Sequence, residues 1–240
     1  MNQQTTQEYK LKIIKIIDEA VDVRTFRVEI PEEKEINFYP GQFFMVRFED
    51  NPKLQRAYSI ASSPTNKNYL EITVALVGEF TTKLFKTKVG DYLIFKGPYG
   101  KFYFTEDTKN DLVLISGGCG IAALMSIIRY CTEKKLQNKI NLIYSVRTPA
   151  HIAHNEELKK IKEENPNFSY TVTITRPKPE HNWCGKTGRI DINLLKENIG
   201  NVENSLYFLC GPTEFIKSSI EILENLSVKK EQIKTDFWGY

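Results

Sequence analysis

The pattern of apolar and polar positions changes character partway along the chain. From Tyr9 to about Phe104, short runs rich in β-branched and aromatic residues ("YKLKIIKII", "VRTFRVEI", "GQFFMVRF", "RAYSIAS", "LEITVALV", "DYLIFKG") are separated by turn-forming clusters. "YPGQ", "SSPTNKN", "KVGD" and "GPYG" are those turns. Six short strands at this spacing predict an antiparallel barrel. After "FTEDTKND" the rhythm lengthens. The runs "LVLIS" (112–116), "INLIYSV" (140–146), "SYTVTIT" (169–175) and "SLYFLCG" (205–211) alternate with helical segments near 121–135, 154–165, 191–198 and 212–226. That alternation predicts parallel strands joined by right-handed crossovers, with "IKTDF" (233–237) as a fifth strand. The expected fold class is β plus α/β: an antiparallel barrel over 7–104, then a Rossmann-like parallel five-stranded domain over 111–240.

Composition narrows the classes. With 240 residues, 41% of them hydrophobic, the chain can fill two cores. Its four cysteines form no C-x-x-C pair and no iron–sulfur ligand run, which favours a reducing, cytoplasmic setting. The first residues lack an apolar signal core, and no apolar run approaches the roughly 18 residues of a membrane span. A net charge of +3 is too small to suggest nucleic acid. The charge is uneven, however. Residues 51–101 carry eight basic side chains against three acidic ones, which either steer an anionic partner or solvate the surface. His151 and His154 are three apart with no third ligand in view, so no metal site is expected, and His181 falls in a polar loop.

Candidate chemistry gathers in a few short stretches. "GGCGIA" (117–122) follows a buried strand and opens a helix, where N–H groups and the helix dipole favour an anion. Glycine there admits a diphosphate or merely permits a tight strand-to-helix turn. The second α/β strand ends at Arg147, not at the carboxylate that holds a ribose hydroxyl in many dinucleotide sites. Arg147, Arg176 and Arg189 are either a cage for a 2′-phosphate or ordinary surface arginines. "CGP" (210–212) puts Cys210 at the carboxyl edge of the sheet, beneath a flat ring or simply in the core. In "RAYSIASSP" (56–64), Arg56, Tyr58 and Ser59 offer a cation, an aromatic face and a hydroxyl, and "GEFTTKL" adds Gly78, Thr81 and Thr82.

Taken together, "RAYS", "GEFTTKL", "GPYGKF", "GGCGIA" and "CGP" resemble, in order and spacing, the motifs of the ferredoxin–NADP reductase family of flavoproteins, over Tyr9 to Phe237. The resemblance implies a Greek-key flavin barrel followed by a nicotinamide-nucleotide domain. It implies that Arg56, Ala57, Tyr58, Ser59, Thr73, Val74, Gly78, Thr81 and Thr82 bind the flavin, FAD in preference to FMN. It further implies that Gly117, Gly118, Gly120, Ile121, Arg147, Thr175, Arg176, Arg189, Cys210, Gly211 and Pro212 bind NADPH or NADH. Ser59, Cys210 and Asp236 are the expected catalytic residues, and Phe237 or Trp238 is expected to cover the flavin. Two positions depart from the family pattern: Ala123 stands where a proline is usual, and Asp236 where many members have glutamate. No iron–sulfur ligand run occurs in these residues, so the expectation is hydride transfer from NAD(P)H to FAD, then single electrons to a separate acidic protein. A ferredoxin, a flavodoxin or an oxygenase component would be such an acceptor. The rival readings are a reductase of free flavin or ferric iron, and a non-catalytic flavin-bearing component of a larger complex.

Overall fold

Along the first strand, Tyr9, Leu11 and Ile13 turn inward while Lys10 and Lys12 face solvent, and this two-residue alternation sets the barrel's interior. The computed structural model describes residues 6–238. Its first part contains β1 (Gln7–Ala20), β2 (Val23–Glu29), β3 (Phe43–Phe48), β4 (Asn51–Ser59), β5 (Tyr69–Ala75), α1 (Gly78–Leu84) and β6 (Tyr92–Tyr99). The strands pair antiparallel in the order β4-β3-β6-β1-β2-β5. A bridge between Ile60 and Ile72, beside the bond from Ala61 N to Glu71 O (2.8 Å), links the two ends of that order and curls the sheet into a barrel. Phe26, Phe44, Phe80 and Phe95 fill its centre with Leu11, Ile13 and Leu70. Burying each such side chain contributes roughly 1.5–3 kcal/mol.

The second part contains β7 (Asp111–Gly117), α2 (Ile121–Glu133), β8 (Ile140–Val146), α3 (Asn155–Glu164), β9 (Phe168–Ile174), β10 (Lys186–Thr187), α4 (Ile192–Asn198), β11 (Ser205–Pro212), α5 (Thr213–Asn225) and β12 (Ile233–Trp238). All pair in parallel, in the order β10-β9-β8-β7-β11-β12. Alternate residues of β7 serve opposite faces. Leu112 and Leu114 pack with α2 and α3, while Val113 and Ile115 pack with α4 and α5. The sheet has six strands where the sequence predicts five. The extra one, β10, is two exposed residues long, and so short and polar a segment leaves no apolar run to read.

Strand order reverses at β7, between β8 and β11, and the crevice at the carboxyl ends of these strands is where open α/β sheets bind ligands. The barrel faces this crevice. Among the contacts that hold it there, Phe102 meets Phe208 edge-on at 5.4 Å, and Arg129 of α2 pairs with Glu71 of β5 at 2.8 Å.

Candidate functional site

The barrel contributes one wall of a cavity of about 780 Å³ at the junction. Arg56, Ala57, Tyr58 and Ser59 reach it from the end of β4, Thr73 and Val74 from β5, and Gly78 and Thr81 from the start of α1. Arg56 is exposed and donates to the neighbouring Gln55 carbonyl at 2.8 Å, with no ion pair among the described residues. Tyr58 is half-buried, its ring 5.6 Å from that of Phe80 and tilted by 36°. Gly78 sits at φ +74 with open space where a Cβ would stand, a conformation that a side chain would strain. The Thr81 hydroxyl accepts from Val77 N (2.6 Å) and donates to Gly78 O (3.2 Å), which ties the helix start to the cavity rim. Thr82 bonds the same carbonyl from outside and does not line the cavity. Thr73 lines the wall, but its hydroxyl is turned away to Thr25 (2.8 Å) and His154 Nε2 (2.9 Å).

The α/β domain supplies the opposite wall, with Cys119, Ala122, Ala123, Cys210, Asp236 and Phe237. Ala123, at the position where the family has proline, is fully buried against this space. Ser59 donates to Asp236 Oδ2 at 3.2 Å across the junction, and the Cys210 thiol lies 3.8 Å from the same oxygen. Burial raises the Asp236 pKa above its ordinary value, against the opposing pull of the bonds from Ser59 and Cys210. Burial, aided by the nearby Asp236, drives the Cys210 thiol well above its usual range, and burial lifts Cys119 to about 12. Both cysteines are therefore neutral thiols, unsuited to nucleophilic chemistry.

A second cleft of about 340 Å³ adjoins the first, and Ala75, Val77 and Cys119 line both. Gly117, Gly118, Arg147, Thr175 and Pro212 line it from the carboxyl ends of the parallel strands. The three turn glycines serve different ends. Gly118, at φ +54, has open space beside its Cα and faces the cleft. A Cβ on Gly117 would sit 2.9 Å from the Phe215 ring, and one on Gly120 would sit 2.1 Å from the Cys210 carbonyl oxygen. Gly120 is thus required by the close approach of β11.

Several expected ligand residues lie elsewhere. Gly120, Ile121 and Gly211 are packed behind the clefts, and Ile121 is wholly buried. Arg176 and Arg189 are exposed and line neither cavity, so of three candidate arginines only Arg147 borders the cleft. Phe237 is 61% exposed at the mouth of the larger cavity, and the Trp238 side chain lies outside the described residues.

Sequence reasoning also misses contributors. Cys119 and Ala122, inside the glycine turn, and Phe43 line the larger cavity, and Asp22, Tyr144, His151 and Phe215 the smaller; outside the turn these are placed by tertiary contact with no local motif. His154 has no role that the sequence reveals, yet it is buried between the domains. Its Nε2 bonds to Thr73, and its Nδ1 lies 3.5 Å from Glu19 and 3.6 Å from Glu157. His181 is half-buried and accepts the Lys178 N–H at 3.1 Å. Among the described residues no group of acidic, His and Cys side chains could hold a metal, and no helix is long and apolar enough to cross a membrane.

Known proteins share this arrangement. Residues 10–104 match the oxidoreductase FAD-binding domain and residues 114–220 the oxidoreductase NAD-binding domain. One of the subunits of the Na(+)-translocating NADH-quinone reductase of Serratia proteamaculans is 29% identical over 241 residues, covering 94% of this chain. The chain spans 59% of that relative's length. Among solved structures, a cytochrome P450 reductase of Amycolatopsis matches with a TM-score of 0.86 at 22% identity, covering 98% of this chain and 71% of that one. A ferredoxin NADP+ reductase from Neisseria gonorrhoeae, with FAD and NADP bound, matches at 0.81 and 24% identity, covering 96% and 98%. With a matching domain on each side of one cofactor-sized junction, the chain belongs to the ferredoxin–NADP reductase-like family of FAD- and NAD-binding oxidoreductases.

Proposed function

We propose that this chain takes hydride from NADH at an FAD held in the larger cavity and delivers electrons singly to a separate protein, as the reductase part of an electron-transfer assembly. One observation carries the reading: the two clefts share Ala75, Val77 and Cys119, so ligands filling both would meet along that wall. Flavin size and chemistry fit the larger one. Its volume of about 780 Å³ falls in the range of cofactor sites, and its rim offers a fixed cation at Arg56 and a hydroxyl at Thr81.

Arg56 and Thr81 are suited to bind the diphosphate, and Tyr58 to lie against the ring. FAD, when bound, supplies the conversion between two-electron and one-electron transfer. Ser59 and Cys210 donate to Asp236 Oδ2 and so orient the carboxyl group, whose raised pKa suits it to hold a proton on its other oxygen. The neutral thiols of Cys119 and Cys210 keep the reaction floor uncharged. Gly118, Arg147, Thr175 and Pro212 are suited to bind the dinucleotide. NADH is favoured over NADPH because Arg176 and Arg189 do not line the cleft, and because the relative of Serratia proteamaculans is named for NADH.

That relative is one part of a quinone reductase, which supports electron delivery inside an assembly. Lys53, Lys86, Lys88, Lys96 and Lys101 are exposed and make no ion pair among the described residues, a surface suited to an acidic acceptor. Four free cysteines are in keeping with a cytoplasmic setting.

The test is the visible spectrum of the purified chain under anaerobic conditions, before and after one equivalent of NADH. A yellow protein that keeps its flavin through gel filtration and bleaches at once supports the reading. A colourless protein that cannot be reconstituted with FAD overturns it. Flavin that washes away while turnover persists favours a reductase of free flavin.

A further inference from the structure

The smaller cleft contains a carboxylate that chain order conceals. At the end of β8, where a ribose-binding acid is often found, this chain has Arg147. The fold brings an acid from the other domain. Asp22, at the turn between β1 and β2, lines the same cleft as Gly118, Arg147, His151 and Thr175.

The turn is fixed from two sides. Val21 donates its N–H to the Ala150 carbonyl of the α/β domain at 3.0 Å, and the Asp22 carbonyl accepts from Leu76 N at 2.7 Å. Both bonds use main chain. The Asp22 side chain is exposed, and among the described residues it accepts no hydrogen bond and forms no ion pair. Arg147 borders the cleft from the sheet, Asp22 from the barrel. His151, in the same lining, feels both, together with Arg176 from the next strand end.

A dinucleotide presents an anionic diphosphate between two ribose diols. Arg147 and the open backbone at Gly118 suit the diphosphate. A carboxylate suits a vicinal diol, which can donate to both its oxygens, and repels the phosphate that replaces one hydroxyl in NADPH. Arg189 does not line the cleft, and Arg176, exposed beside it, stands outside the lining that Asp22 enters.

We infer that Asp22 is a specificity-determining residue: lodged in the nucleotide cleft by the barrel's first hairpin, it accepts from the ribose hydroxyls of NADH and excludes the 2′-phosphate of NADPH. This rests on the reading above, that a nicotinamide dinucleotide runs through this cleft.

The experiment uses the whole chain and non-redox probes. Calorimetry compares ADP-ribose with 2′-phospho-ADP-ribose on the unaltered chain, Asp22→Asn and Asp22→Gly, and kcat/KM is read with NADH and NADPH. Both substitutions tolerate the φ of +57 found at Asp22. The expected result is a gain of about tenfold in relative affinity for the 2′-phosphorylated probe in both variants, mirrored in kcat/KM. A ratio unchanged within about twofold, while the unaltered chain still binds ADP-ribose, overturns this inference alone. An unaltered chain that binds neither probe overturns the dinucleotide reading of the cleft and the inference with it.

Discussion

Of the polar contacts that join the barrel to the α/β domain, two clusters differ in how fully their partners are supplied. In the first, Arg129 grips Glu157 with two bonds of 2.7 and 2.6 Å and reaches Glu71 and the Ala61 carbonyl at 2.8 and 2.7 Å. Arg27 satisfies the other oxygen of Glu71 at 2.9 Å. In the second, the Asp236 carboxylate meets Ser59 at 3.2 Å and Cys210 at 3.8 Å, beside a cavity. The difference separates two uses of buried charge. A saturated network fixes how the domains sit, whereas an undersupplied carboxylate keeps capacity for a proton or a ligand.

Cutting the first cluster has the largest expected effect. Arg129→Met leaves Glu71, 2% exposed, half-unpaired, and breaking a buried pair from one side costs about 3 kcal/mol or more. Urea unfolding measures this, and an unmoved midpoint would erase the distinction between the clusters. Arg56→Ala acts the other way. Exposed and without an ion pair, Arg56 contributes little to folding, so the melting temperature of the flavin-free protein stays put. FAD retention weakens by about tenfold or more, read by equilibrium dialysis.

Acid should sharpen the contrast, because the two carboxyl groups are shifted in opposite directions. Burial would raise Glu157, but its bonds from His154 and Arg129 outweigh this and hold it at about 2. Its stabilisation is complete above the ordinary carboxylate range and is lost as pH falls from about 4.3 toward 2. Asp236 is raised instead, so its contribution is present at low pH and is lost as pH rises through its folded value. Melting curves across pH should therefore flatten on the acid side in Glu157→Gln, while Asp236→Asn gains stability near neutrality. The smallest contrast lies within α1. Thr81→Ala removes the hydroxyl that ties Val77 to Gly78 and weakens flavin binding, while Thr82→Ala stays within about 0.5 kcal/mol in stability and leaves binding unchanged.

Much of this was legible in the residues. Apolar runs marked the strands to within a few positions, and the stretches at 56–59, 78–81 and 117–118 do reach the two cavities. What the residues hid was non-local. Nothing near Gly120 announces that the Cys210 carbonyl lies against it, so a packing glycine read as a phosphate glycine. His154 looked like a stray polar residue because Thr73 and Glu19, its partners, lie far back in the chain. Arg176 and Arg189 stand near the right strand ends, but whether their exposed side chains enter the cleft lining depends on loop paths that periodicity does not encode.

The hairpin bond from Val21 to Ala150 has a consequence for how such proteins diversify. The smaller cleft draws its lining from residues 21–23 and 75–77 as well as from beyond residue 117. A crossover in the connecting segment near 105–110 would therefore transplant half a binding surface. A chimera that takes its second domain from a relative inherits that relative's strand ends but keeps this chain's turn, so on the proposal above coenzyme choice would travel with the pair rather than with either module.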